Sequence, residues 1–384
     1  MRCAFLKLEH CLSNYRLIQV VDDANNAPAG TDWTKWKLKY RTRSPLFSDI
    51  IEYFRASAFE QGKAKIIHNL LDRKDKKNCW SPIHWAASTG RVDKMKILLE
   101  NGANPFLLSN LNANIIHAAA ESKMDHGLIC ALDIWRRWPQ KLNINQANRW
   151  AESPLHVAAW RSAPCVKRLL EAGADPNVRQ EDGQVPLHCA ALSIRCADRR
   201  EVVSLLCNAK SKEHINFQDI DGRPPLFDLL DDSQCLETLM HHGARLDLCD
   251  SFGKTAFHHA CIQGESEALR TMLRLASDPV LATLKDRDGN SPVIEALSHE
   301  NTDCAMVLLE LAYIGDIFNN AGWAAVHYAA KIGNIEVLEG MLKHPSFIKG
   351  VKTRDGKTLE KVSMEAGTWS GKVKDLIRRY NSLV

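Results

Sequence analysis

The chain has 384 residues, 45% of them apolar and 25% charged. That is ordinary globular composition, and it excludes a collagen-like chain and whole-chain disorder. The net charge of +4 is too small for wholesale binding to nucleic acid or anionic lipid.

No apolar run approaches the roughly 18 residues that a membrane span needs. Lys7, Glu9 and His10 interrupt the stretch where a signal peptide would carry its apolar core. A soluble protein of the cytoplasm, the nucleus or both is expected, with no membrane attachment. Twelve cysteines are spread over 300 residues without a C-x-x-C pair. Free thiols acting as small apolar groups fit that compartment better than a disulfide framework or a zinc site.

Residues 1–43 form a leader. Its feature is Lys35-Trp36-Lys37-Leu38-Lys39-Tyr40-Arg41-Thr42-Arg43, basic at every odd position. As a strand it would carry a basic comb on one side and Trp36, Leu38 and Tyr40 on the other. Three readings stay open: a strand docked on the following unit, a nuclear-import or nucleic-acid patch at 35–43, or the tail of an upstream domain. Residues 44–78 open with Ser44-Pro45-Leu46-Phe47 and predict two helical stretches, 50–59 and 63–71, as an N-terminal cap. The charged run 72–77 reads as a solvent-facing loop.

From residue 79 the chain repeats itself. A small hydroxyl residue, often Pro, an aliphatic, His and a run of Ala recur. The clearest copies are Ser81-Pro82-Ile83-His84-Trp85-Ala86-Ala87 and Ser153-Pro154-Leu155-His156-Val157-Ala158-Ala159. The His slot falls at 84, 117, 156, 188, 227, 258, 294, 327 and 360, in steps of 33, 39, 32, 39, 31, 36, 33 and 33. Turns such as Asp182-Gly183, Asp221-Gly222 and Asp288-Gly289 precede the copies. A longer amphipathic helix follows each Ala run and ends in Gly-Ala at 102–103, 173–174 and 243–244. Each unit is thus a turn, a short helix and a longer helix, unable to bury its apolar face except by stacking. The array runs over 79–350. Residues 351–384 are a degenerate last unit closed by a polar-sided helix at 373–380. One array replaces the two or three domains that length alone suggests at roughly 150 residues each.

The pattern resembles the ankyrin repeat, whose hallmark is T-P-L-H-x-A at about 33 residues per unit. The resemblance covers about 44–384 and is weakest at 219–247 and after 350. It implies an all-α ankyrin-repeat solenoid of about nine repeats with decayed caps. It also implies that the slot histidines His84, His117, His156, His188, His258 and His327 are structural, bonding within and between turns. Partners would bind on turn tips and exposed first-helix positions.

Mapped here, that surface carries Trp80, Arg149, Trp150, Trp160, Arg161, Phe252 and Trp323, the Trp/Arg chemistry of interface hot spots. The ridge centres on Trp150, Trp160 and Arg161, with Trp80 beside it. Trp85, one place after a slot His, is expected in the core. Trp135 and Trp138 sit in the insertion that lengthens one step to 39, and Pro139 ends that helix.

No catalytic, metal or cofactor site is expected. The chain lacks H-E-x-x-H, G-x-x-x-x-G-K-[ST], G-x-G-x-x-G and G-x-S-x-G. The Asp-x-Asp-Gly turns put Leu230 and Leu297 where a calcium loop needs Glu. The function expected is non-catalytic binding of other proteins, as a scaffold, adaptor or regulatory subunit. The alternatives are a nuclear transcription coregulator and an enzyme with an unrecognised pocket.

Overall fold

The computed structural model describes residues 71–75, 79–193, 197–276, 278–311, 318–344 and 350–382. The leader, most of the expected cap and the 35–43 comb lie outside them. The chain divides into two compact units, Met1–Glu181 with Arg195–Leu205, and Asp182–Ile194 with Leu206–Val384. Among the described residues both are helical, and the only extended pairing is one isolated bridge, Phe318 to Ala324. The expected all-α class is observed.

In the first unit three helix pairs follow one another: α1 (Pro82–Ser88) and α2 (Val92–Glu100), α3 (Ile115–Ala120) and α4 (His126–Arg137), α5 (Pro154–Ala159) and α6 (Ala163–Glu171). The first helices are short and carry the Ala runs. Ala86, Ala87, Ala118, Ala119, Ala158 and Ala159 are all buried. With only a methyl each, they let neighbouring helices approach closely. The approach is tightest at Gly127, where a Cβ would lie 2.4 Å from the Ala87 carbonyl oxygen.

The second helices bury one stripe, as Cys165, Val166 and Leu169 do in α6. Met95 and Leu98 do so in α2.

Segment Arg199–Cys207 (α8) follows α7 (Pro186–Leu192), and the second unit then continues the same plan. It pairs α10 (Ala256–Gln263) with α11 (Ser266–Leu275), α12 (Pro292–Ser298) with α13 (Thr302–Leu311), α14 (Ala325–Ile332) with α15 (Ile335–Lys343), and α16 (Leu359–Glu365) with α17 (Gly371–Ser382). Between them, α9 (Ser233–His241) has no full partner. Its first helix is reduced to a 3-10 turn, Pro225–Asp228. The sequence explains this departure from the expected unit. Pro224 and Pro225 lead into Leu229-Leu230-Asp231-Asp232 instead of an Ala run, and the Asp232 carboxylate caps α9 by accepting from the amides of Gln234 and Cys235. In the last unit Thr358 accepts from the Lys361 amide, so the slot falls one residue after Glu360.

Successive turns are laced by backbone hydrogen bonds. In the first unit the Arg149 amide donates to the Leu111 carbonyl at 2.7 Å, and the Glu181 amide to Trp150 at 3.1 Å. In the second, Ser251 donates to Asp221 at 2.8 Å and Arg287 to Phe252 at 3.0 Å.

Candidate protein-binding surface

The slot histidines bond the turns in which they sit. The His258 Nδ1 accepts from the Thr255 backbone amide at 3.1 Å, and its Nε2 reaches the Asn290 carbonyl of the next turn at 3.0 Å. A backbone amide can only donate, so Nδ1 is bare and the proton sits on Nε2. The Val185 amide likewise donates to His188 Nδ1 at 3.2 Å, and His188 Nε2 reaches the Arg223 carbonyl at 3.0 Å. His117 bonds its cap, Asn114, and the Glu152 carbonyl at 3.1 Å. The Ser153 amide donates to His156 Nδ1 at 3.1 Å and the Ala324 amide to His327 Nδ1 at 3.1 Å. Ser81 Oγ lies 2.8 Å from His84 Nδ1. Burial pushes the His84 and His117 imidazoles down to about 4, so they are neutral at pH 7.

The buried thiols are inert as well. Burial raises Cys165 and Cys304 to about 11 and Cys207 to about 12. Cys249 is exposed, unlike the packed position expected of it. Among the described residues no three His, Cys, Asp or Glu side chains group as metal ligands.

Counting back from the slot His sorts the aromatic candidates. The residue six places before it sits at the turn tip and points outward. Trp150 is 48% exposed there and Phe252 67%. The residue four places before it packs on the slot His. Trp80 lies 6.3 Å from His84 and 4.9 Å from Trp85, ring centre to ring centre. Trp323 lies 6.0 Å from His327 and 5.3 Å from Tyr328.

Trp80 is therefore buried, not a member of the exposed ridge, and Trp323 is half-buried. Asp75 draws the Trp80 segment inward: its carboxylate accepts from the Trp80 amide at 3.0 Å and from Trp85 Nε1 at 3.1 Å. Trp85 is in the core, as expected.

The rest of the ridge is present in the first unit. The tip carrying Arg149 and Trp150 is fixed by Asn148, whose Oδ1 accepts from the Trp150 and Glu152 amides at 2.9 and 3.0 Å. Ala151 takes φ +59°, the left-handed turn position that Gly183, Gly222 and Gly253 fill elsewhere. Trp160 caps the C-terminus of α5 and is 38% exposed. Its loop is tied to the preceding unit, since Ser162 Oγ donates to the Lys123 carbonyl at 3.0 Å. That tie sets Trp160 and Arg161 beside the loop bearing Met124, which is 56% exposed. Trp150 and Trp160 thus flank one six-residue helix, with about 9 Å of rise between its ends. Arg149 and Arg161 are both exposed, and among the described residues neither has a carboxylate partner.

Three features escaped the sequence. Met124 and Ile220 are exposed apolar groups, Ile220 on the tip before that of Phe252. The anchors of the tips are Ser109, Asn148, Asp219, Asp250 and Asp286, each accepting from two amides of its own turn. Their signal was a recurring Asp, Asn or Ser three residues before the left-handed position.

A stack of these units, with His117, His188 and His258 bridging turns and side chains displayed on laced tips, has the architecture of a protein–protein interaction module. Residues 127–219 and 229–313 match the family described as ankyrin repeats in three copies, and residues 78–110 match the single ankyrin repeat. The chain belongs to the ankyrin repeat family.

It is similar to neurogenic locus notch homolog protein 1 of Xenopus laevis, 31% identical over 145 residues, which is 37% of this chain and 6% of that protein. The human protein of the same name is 32% identical over 133 residues, 34% of this chain and 5% of its own length. E3 ubiquitin-protein ligase KEG of Arabidopsis thaliana is 26% identical over 289 residues, 73% of this chain and 16% of the ligase. The chain thus spans a small part of the curated relatives it matches. Among solved structures, the ankyrin repeat domain of Bcl-3 aligns with a TM-score of 0.47 at 23% identity, covering 60% of this chain and 99% of that one. Among the described residues no helix is long and apolar enough to cross a membrane.

Proposed function

We propose that the chain is a recognition subunit, a scaffold or adaptor, that grips a protein partner through Trp150, Trp160, Arg149 and Arg161. The observation that carries this reading is the pair of indoles held out on either side of α5 by a fixed backbone. Trp and Arg dominate interface energetics, and anchors already held in place lose little freedom on binding. Phe252 with Ile220 offers a further contact on the second unit. The free cysteines of the described residues support the cytoplasm or nucleus as the compartment.

The test is affinity purification with proximity labelling, run on the wild type and on Trp150→Ala/Trp160→Ala. The expected result is loss of specific partners from a variant that melts like the wild type. Partners retained by a folded double variant would remove the ridge from the interface. Recovered nuclear regulators would select the coregulator role over a cytoplasmic scaffold.

A further inference from the structure

The 39-residue step between His117 and His156 builds something the recognition ridge does not use. Part of the added length goes into α4, which has 12 residues where α2 and α6 have nine. Those three residues add about 4.5 Å of rise, and they carry Trp135, Arg136 and Arg137 outward to the helix end. Trp138 follows as the C-cap and Pro139 stops the helix.

There the rings meet. Trp138 packs edge-on against Phe106, with centres 5.8 Å apart and planes at 81°. Lys141 Nζ lies 4.9 Å from the centre of the Phe106 ring. Despite these contacts Trp138 is 41% exposed, and Leu108 beside Phe106 is 36% exposed.

The rim of this apolar patch is basic. Lys74 Nζ sits on the Leu108 carbonyl at 2.6 Å. Arg137 and Lys141 are exposed, and among the described residues no carboxylate pairs with either. The acids nearby are already engaged. Asp133 holds Arg136 at 2.8 Å, and Asp72 accepts from the Asn104 amide at 2.8 Å. Lys74, Arg137 and Lys141 are left uncompensated around a pre-set aromatic pair.

We infer that the Phe106–Trp138 cluster is a second docking surface, which takes an acidic peptide segment carrying an apolar side chain. The apolar side chain covers the exposed indole and Leu108, and the carboxylates face Lys74, Arg137 and Lys141. Phe106 has one face under Lys141 and Trp138 against it, which leaves no open ring pair for stacked bases. Holding the rings in place beforehand lowers the ordering cost of binding. The charged rim makes association dependent on salt.

The test uses fluorescence anisotropy with a short labelled peptide of Asp and Glu around a central Leu-Phe. The comparison probes are the same peptide with Lys for every acid, the same peptide with Ser-Ser for Leu-Phe, oligo(dT), and phosphatidylserine vesicles. The acidic Leu-Phe peptide should bind, and raised salt should weaken it. Arg137→Glu/Lys141→Glu should weaken it about tenfold, while Trp150→Ala should leave it unchanged. Trp138→Ala should weaken it similarly; if that variant melts early, the charge reversals at exposed positions decide alone. Absence of binding at millimolar peptide overturns the proposal. So does binding indifferent to the charge reversals, binding lost in Trp150→Ala, or preference for oligo(dT) or vesicles.

Discussion

His258 ties one unit to the next through a single contact, its Nε2 donating to the Asn290 carbonyl at 3.0 Å while Nδ1 receives the Thr255 amide. The Thr255 end of this bridge is buried and the Asn290 end half-buried. Replacing His258 with Ala leaves the Thr255 amide and the Asn290 carbonyl without a partner. A buried orphan costs about 1–3 kcal/mol and the half-buried carbonyl costs less, so a loss of roughly 2–4 kcal/mol is expected. The midpoint of urea unfolding, with the second unit followed by hydrogen exchange, measures it.

The same histidines fix the pH response. An unfolded imidazole takes a proton near 6.5, whereas the folded His84 and His117 refuse it until about 4. Burial also lowers His258, His259 and His327. Stability is therefore complete above pH 6.5 and falls as the pH drops toward 4. Each histidine contributes up to about 1.4 kcal/mol per pH unit in that window. Melting curves recorded from about pH 7.5 down to about pH 4 should show the loss starting just below about 6.5. A melting temperature flat to pH 4.5 would contradict neutral, buried slots.

Lys254 lies between Asp286 at 2.5 Å and Glu295, both nearly inaccessible to water. Burial opposes its charge, yet the hydrogen bonds it donates to both carboxylates hold it protonated. Lys254→Met would strand two buried carboxylates. A loss of about 3–5 kcal/mol is expected, larger than that of Lys254→Arg. Chemical denaturation of the two variants decides the order.

Two small substitutions test backbone packing in the first unit. Gly127→Ala would push a methyl to 2.4 Å from the Ala87 carbonyl oxygen, a backbone atom that cannot swing aside. A cost of about 1–3 kcal/mol is expected. Ala151→Gly should act in the opposite sense. An L-residue at φ +59° costs about 1–2 kcal/mol, and the extra freedom of unfolded Gly returns about half of that. Thermal melts of the two variants should shift in opposite directions.

Much of this architecture was readable because the repeat is a local device. Cap, Pro, slot His and Ala run lie within seven consecutive residues from Ser81 to Ala87, so spacing alone locates each first helix. Exposure was harder to read. Trp80 and Trp150 both precede a slot His in a turn, but two residues of offset separate a ring packed on imidazole from one in water. That offset depends on Asp75 and Asn148, whose hydrogen bonds set where each turn begins. The shrunken helix at Pro225–Asp228 was foreshadowed by its missing His and Ala run. The Phe106–Trp138 contact joins residues of different units of the repeat, and no local pattern encodes it.

The central claim is that partners are gripped by the indoles flanking α5. Hydrogen–deuterium exchange of the chain, alone and with a recovered partner, tests it most directly. Slowed exchange is expected at the tip amides of 148–152 and in the loop of 160–162, and it should be absent when Trp150→Ala/Trp160→Ala is mixed with the same partner. A bound partner that leaves both segments unprotected, and protects another face instead, would contradict the claim.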